Sequence, residues 1–298
     1  MTLLRVGTRG SALALWQTRW VIDELRRRRP ELEFQEVIIK THSEIAPDQP
    51  IDSSNWPVGG FVGAIEQALL ASEIDFAVHS YKDLPSVGPE ELVIAAVPPR
   101  AAVHDVLLTR QAIDIEQLPN GFRIGTSSPR RRAQFLRFVG VETVPIRGNV
   151  PTRVQKMETG QVDGVVLAAA GLERLDLTAP HMMNLATDRF VPAPRQGALA
   201  IQTRRDSTAR DILAALDHQP SRRGVDAEGS FLAAVDAGCR TPVAALAKVV
   251  SDGGIELHAQ LFSDDGRDLA QGRETGSNPS QLGAVLGQRL KQQLHIAT

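Results

Sequence analysis

Over its first two hundred residues the chain alternates short apolar runs with amphipathic stretches of helical period. That alternation restricts the fold more than any other feature of the sequence. The strand-like runs are 3–7, 35–40, 75–79, 92–97, 123–125, 142–146, 162–168 and 198–202. Helix patterns fall between them at 11–29, 61–72, 129–139, 149–159 and 207–217. A strand that feeds a helix must return before the next strand can pair beside it, so this pattern predicts an α/β class with a largely parallel sheet. After residue 218 the texture changes. A helix pattern at 222–235 leads to strand-like runs at 243–250 and 254–262, punctuated by "SDGG" and "SDDG", and a last helix pattern covers 279–295. This tail reads as a small α+β domain.

Two segments echo each other. "RVGTRGSALALWQ" and "RIGTSSPRRRAQ" each run strand, Gly-Thr turn, serine cap, helix. In the first, Ser11 is a natural N-cap, and Ala14, Leu15, Thr18, Val21, Ile22 and Leu25 form one apolar stripe. Arginines 26–29 then sit at the negative end of the helix dipole, and Pro30 stops the helix. In the second, Ser128 caps and Pro129 takes the first helical position, where a missing N–H costs nothing. Both units put backbone amides and arginines at a helix start beyond a strand's carboxyl end, where open α/β sheets bind ligands and anions are favoured. Two similar α/β domains facing one cleft are expected.

The basic residues sharpen the ligand. Of 33 lysines and arginines, only residues 40, 82, 156, 248 and 291 are lysine, and the rest are arginine, the residue suited to forked capture of carboxylate or phosphate. Arg9, the trio Arg130, Arg131 and Arg132, and Arg147 with Arg153 in "IRGNVPTR" all fall at strand-to-helix junctions. Converging, they would hold a ligand bearing several carboxylates. In the last segment Gly148 allows close backbone approach, and Asn149 caps the helix that Arg153 decorates. The net charge of −2 argues against nucleic acid or an anionic membrane as main partner. No run approaches the roughly 18 apolar residues of a membrane helix. The opening "LLRVGTRGS" lacks the segments of a secretory signal, so a cytoplasmic location is expected. The seven histidines have no ligand spacing, and one cysteine excludes a disulfide framework or a cysteine zinc cluster, so no metal is expected.

Two residues invite chemistry. Asp83 lies in "DFAVHSYKDLPS", where an apolar strand ends and Ser80, Lys82 and Asp83 follow at its mouth. It is either half of a surface Lys–Asp pair or a general acid and stabiliser of positive charge. Cys239, in "VDAGCRTPVAA", is either a small buried hydrophobe or, between Gly238 and Arg240, a thiol with a lowered pKa.

Taken in order, "VGTRGSALALWQ", "EIDFAVHSYKDLPS", "IGTSSPRRRAQ", "RGNVPTR", "DGVVLAAAGLERLDL", "PAPRQGALAI" and "GCRTPVAA" make the chain resemble the porphobilinogen deaminase (hydroxymethylbilane synthase) family along its whole length. The resemblance implies two periplasmic-binding-protein-like (type II) α/β domains around a cleft and a small α+β C-terminal domain. The implied boundaries are 1–97 with 197–217, 98–196, and 218–298. It implies a monomeric transferase of tetrapyrrole (porphyrin, haem, chlorophyll) biosynthesis whose dipyrromethane cofactor is held through a thioether by Cys239. Four porphobilinogens are deaminated and joined head to tail on that primer, and water releases linear hydroxymethylbilane. By the same resemblance Asp83 is catalytic. Arg9, Ser11, Lys82, Thr126, Ser127, Ser128, Arg130, Arg131, Arg147, Gly148, Arg153, Arg174 and Gln196 then bind the carboxylates of cofactor and substrate.

The chain departs from the family pattern at Val58 and Gly63, where lysines are usual, and at Glu44 and Glu173. It also reads Arg195-Gln196-Gly197 for the usual Gly-Gln-Gly, and Arg195 is expected to restore a positive charge lost at Val58 or Gly63. Two competing readings are a binding protein for a carboxylated solute and a divergent paralogue that holds pyrroles without polymerising them.

Overall fold

The computed structural model describes residues 2–40, 62–236, 241–251 and 253–297. The chain divides into two compact units, Met1–Ala101 with Ala198–Arg222, and Ala102–Gly197 with Arg223–Thr298.

The first unit is built on strands β1 (Thr2–Thr8), β2 (Leu32–Ile38), β3 (Phe76–Ser80), β4 (Leu92–Ala96) and β10 (Leu199–Arg204). Their order is β2-β1-β3-β10-β4; β1 runs parallel to β2 and β3, while β10 runs antiparallel to β3 and β4. Helices α1 (Ala12–Arg28), α2 (Gly63–Leu70) and α6 (Ala209–Ala214) complete it. The stripe read from the sequence packs as expected except at Leu15, which is half-buried while Gln17 is buried. Val21, Ile22 and Leu25 of α1 meet Leu4, Val6, Phe76, Val78 and Ile201 of the sheet, and each fully buried side chain of this size stabilises by about 1.5–3 kcal/mol. The Ser11 hydroxyl accepts the Ala14 N–H at 3.3 Å, and the Arg29 N–H closes the helix on Leu25 O at 2.8 Å.

The second unit holds two sheets. The first joins β5 (Asp105–Thr109), β6 (Ile124–Gly125), β7 (Thr143–Val144), β8 (Gly164–Ala168) and β9 (His181–Asn184) in the order β7-β6-β8-β5-β9. Here β6 is parallel to β7 and β8, and β5 is antiparallel to β8 and β9. With helices α3 (Pro129–Val139), α4 (Val150–Glu158) and α5 (Ala169–Arg174) it repeats the spatial order and directions of the first sheet, although the antiparallel strand comes last in the chain there and first here. The echo in the sequence marks the equivalent place in each sheet: the turn from β1 into α1 and the turn from β6 into α3.

The third sheet is an antiparallel meander of β11 (Val243–Val249), β12 (Ile255–Phe262) and β13 (Leu269–Gly276). Helices α7 (Gln219–Ala234) and α8 (Pro279–Ala297) supply Ala227, Phe231, Leu282, Leu286 and Leu290 to its core. The two helices meet backbone to backbone, because a Cβ on Gly283 would stand 2.3 Å from Ala227 O and one on Gly287 2.7 Å from the Ala234 Cβ. The meander rests on the second sheet's unit through the Ala245 N–H to Pro192 O (3.1 Å) and a side-chain bond from Gln134 Nε2 to Gln260 Oε1 (2.9 Å).

The expectation of a largely parallel sheet holds for four of the five strands in each α/β sheet, but the fourth strand in order, β10 in one and β5 in the other, runs against the rest. Direction is not encoded in an apolar run, and β10 arrives only after the chain has left and returned. Strands β5, β9 and β13 were not predicted. All five residues of β5 are buried, without flanking turn signals; β9 is an exposed edge held by backbone bonds; β13 alternates weakly around Gly272.

Candidate active site

In the first unit the ends of β1 and β3 open on a small pocket of about 60 Å³. It is lined by Arg9, Ser11 and Gln17 from the β1–α1 side and by His79, Ser80 and Asp83 from the β3 side, over an apolar floor that includes Ile65 and Val78. Each polar side chain has a local reason to be there. Thr18 donates to Thr8 Oγ1 at 2.8 Å, fixing the start of α1 over the end of β1, where Arg9 and Ser11 follow. The Gln17 amide exchanges hydrogen bonds with the Ser80 hydroxyl (2.9 and 3.1 Å), joining the two walls. Beyond Ser80 the chain makes a single 3₁₀ turn, Tyr81–Asp83, anchored by the buried Tyr81 whose N–H donates to Ala198 O at 3.0 Å. That turn leaves Lys82 and Asp83 exposed at the pocket mouth.

His79 is buried in the wall. Burial lowers its pKa to about 4, with the Arg9 charge adding to that and the Gln202 side chain opposing it, so the imidazole is neutral at physiological pH. Gln202 in turn donates to the buried Glu66 at 3.2 Å. A histidine whose folded pKa lies below its unfolded value contributes stability that is complete above pH 6.5 and lost as pH falls toward 4. The whole window is worth about 3 kcal/mol. The melting temperature is therefore expected to drop more steeply between pH 6.5 and 4.5 in the native protein than in His79→Gln; parallel curves would show that His79 carries no such linkage.

In the second unit the predicted arginine cluster is organised by a residue that the sequence reading passed over. Asp105, at the start of β5, is 1 % exposed. Its Oδ2 accepts from Arg130 Nη1 (2.8 Å), and its Oδ1 accepts from Arg131 Nη2 (2.7 Å) and Gln196 Nε2 (2.8 Å). Burial pushes the Asp105 carboxyl up, but the two guanidinium charges and their hydrogen bonds outweigh it and hold the group far below the usual carboxylate range. Arg130 also donates to Gln134 and Val191 O, and Arg131 to Val166 O. Both guanidiniums are buried, and the Nε–H of each has no acceptor among the described residues. One carboxylate against two guanidiniums leaves a net positive charge beneath the start of α3.

Of the other predicted residues, Thr126, Ser127 and Ser128 fall at that helix start. Ser128 caps α3 by accepting the Arg131 N–H, and donates its own N–H to Thr126 Oγ1 (3.2 Å). Ser127 bonds Ile146 O at 2.7 Å, which draws the "IRGNVPTR" loop to the same end of the sheet. There Gly148 adopts φ +111°, and a Cβ would stand 2.7 Å from Thr152, so only glycine fits. Asn149 caps α4 through Thr152 N (2.9 Å), and Arg153 donates back to Gly148 O (2.7 Å). Lys156 reaches Arg147 O at 3.2 Å. Arg174, at the end of α5, donates to Gly197 O at 2.8 Å; burial lowers its pKa to about 10 against the opposing charge of Glu173, so it stays protonated. Cys239, Val58 and Glu44 lie outside the described residues, and Gly63 begins α2.

Sequence reasoning missed Gln17, Asp105 and Gln134. Asp105 had a signal, a lone charge opening an apolar run in "HDVLL". The two glutamines had none, since an amide on a helical stripe does not announce a partner.

The sequence matches known families over nearly all of its length. Residues 4–211 match the family described as "Porphobilinogen deaminase, dipyromethane cofactor binding domain", and residues 223–294 match "Porphobilinogen deaminase, C-terminal domain". The porphobilinogen deaminase of Thermus thermophilus is 43 % identical over 297 residues, covering 98 % of this chain and 97 % of the relative. That of Desulforudis audaxviator is 43 % identical over 289 residues, covering 96 % and 93 %. Among solved structures, an arginine-specific periplasmic binding protein of Salmonella typhimurium aligns at TM-score 0.43 and 14 % identity over 74 % of this chain and 94 % of that one, too distant to carry an argument.

Proposed function

The chain belongs to the porphobilinogen deaminase family, whose dipyrromethane cofactor and transferase activity come with that membership, and on this premise we propose how its own residues divide the work. The observation that carries the reading is the first-unit pocket, whose lining brings one carboxylate, Asp83, together with Arg9, Ser11 and the neutral His79. The substrate is porphobilinogen, four of which are joined in turn before linear hydroxymethylbilane is released.

Asp83 is the catalytic residue. Its carboxylate accepts the pyrrole N–H and stabilises the positive charge that develops as ammonia departs. In a pocket with an apolar floor, one well-placed group of this kind contributes ~3–4 kcal/mol. Arg9 and the hydroxyl of Ser11 hold a substrate carboxylate, with Lys82 adding positive charge at the mouth. In the second unit Thr126, Ser127, Ser128, Arg130, Arg131, Arg147, Gly148, Arg153, Arg174 and Gln196 hold carboxylates of the bound pyrrole chain. The fit is supported by the net positive charge at Asp105 and by the two buried Nε–H donors of Arg130 and Arg131, which a carboxylate-bearing group would satisfy. When bound through Cys239, the dipyrromethane group supplies the primer to which successive pyrroles are joined.

The chain works as three domains, 1–97 with 197–217, 98–196, and 218–298; the separate core of the meander supports the third. It acts as a cytoplasmic monomer without nucleic-acid or membrane partners, feeding porphyrin-type macrocycles, haem and chlorophyll included. Among the described residues no helix is long and apolar enough to cross a membrane. The reading of a carboxylate-solute carrier is set aside, since the deaminase relatives match nearly the full length.

The test is an intact mass of the denatured protein. Native protein is expected to exceed its polypeptide mass by two linked pyrrole units, and Cys239→Ser to lose that excess. A native protein of bare mass that gains nothing on incubation with porphobilinogen would overturn the reading.

A further inference from the structure

Three consecutive residues between the second sheet and β10 reach three different parts of the second unit. The Gln196 side chain holds Asp105, and the Gly197 carbonyl holds Arg174. Arg195 turns the other way, onto α7. Its backbone is left-handed, at φ +64°, a conformation that a non-glycine residue adopts only when its surroundings over-determine it. Two contacts do so. The Arg195 N–H donates to Glu228 Oε2, a fully buried carboxylate whose Oε1 accepts the Ala247 N–H of β11 at 2.8 Å. The Arg195 guanidinium lies against Gly229: a Cβ there would meet Nη2 at 2.2 Å, Cζ at 2.9 Å and Nε at 3.0 Å, and these are the three atoms nearest to it.

Helix α7 is thus gripped on two sides, by the glycine contacts of α8 and by Arg195, and its last turn leads directly into residues 237–240, which include Cys239. We propose that Arg195 is a positioning residue for the reaction: it clasps α7 at Gly229, so that the helix that precedes the cofactor cysteine in the chain keeps register with the Asp105 arginine cluster held by its neighbour Gln196. On this proposal Arg195 acts through its position and not as a substitute charge for substrate, the residue being only 8 % exposed. The inference rests on the reading of Cys239 as the cofactor anchor. It does not require Arg195 to touch substrate. A displacement of about 1 Å in a catalytic constellation is enough to cost one to two orders of magnitude in rate.

The clasp can be released from either side. Arg195→Gly removes the guanidinium and suits the left-handed backbone. Gly229→Ala pushes the guanidinium off the helix, and alanine also raises intrinsic helix stability. Each single variant is expected to lower kcat about 5–10-fold, with KM within about twofold and melting temperature not reduced in Gly229→Ala. Both act on one contact, so the double variant should match the singles and their losses should not multiply. Arg195→Lys, which keeps charge but not the flat fork, should behave like Arg195→Gly. Intact mass is recorded on every sample: a bare native protein speaks against the cofactor reading. A loaded Gly229→Ala enzyme with native kcat, losses that multiply in the double variant, or a kcat loss that merely follows a fall in melting temperature would each overturn the clasp.

Discussion

Asp83→Asn is expected to lower kcat by about 10²–10³-fold while leaving the melting temperature and the cofactor mass unchanged. Asparagine keeps the size of the side chain and one acceptor oxygen, so the 3₁₀ turn anchored by Tyr81 has no reason to move. What disappears is the negative charge, the only one among the described residues lining the first-unit pocket, where Arg9 is positive and His79 neutral. A group that acts on the developing cation affects kcat and kcat/KM together, whereas one that merely binds substrate raises KM alone. Steady-state kinetics therefore separate the two roles. Unaltered kcat with a raised KM would demote Asp83 to a binding group.

The second large effect is structural. Asp105→Asn is expected to destabilise the second unit by about 3–5 kcal/mol, because it leaves the Arg130 and Arg131 guanidiniums, both buried, without their counter-charge. At the size of this unit that corresponds to roughly ten degrees in melting temperature. Asp105→Leu should do no better, since the harm lies in the orphaned cations and not in the lost carboxylate. Combining Asp105→Asn with Arg131→Met removes one of those cations and should recover part of the stability. A double variant as unstable as the sum of its parts would show that the three side chains do not act as one network.

These two residues also mark how far the sequence could be read. The place of Asp83 was legible because an apolar run ends at His79 and a charged pair follows it, and the structure sets Asp83 in the lining of the pocket there. The caps at Ser11, Ser128 and Asn149 were legible too, since each is a local bargain between a side chain and the next turn of its own helix. Asp105 was not, although it governs two of the predicted arginines. Its partners lie 25, 26 and 91 residues away in the chain, and no local pattern encodes a meeting at that separation. The same holds for the antiparallel β10, whose apolar run was found but whose direction and neighbours depend on where the chain had been. Arg195 was noticed for its charge, and its left-handed backbone and its approach to Gly229 were not legible, because composition does not reveal either.

The strand order of the first sheet also sets a timetable for the newly made chain. Its slot between β3 and β4 is filled by β10, which follows β4 by roughly a hundred residues, whereas every strand of the second sheet falls between Asp105 and Asn184. On the ribosome the later sheet is therefore complete first, and the earlier one waits with two open edges until Leu199–Arg204 emerges. The part of the molecule that bears Asp83 is begun first and closed later, so a chain stopped short of residue 199 would carry all the pocket-lining residues on a sheet still missing its fourth strand.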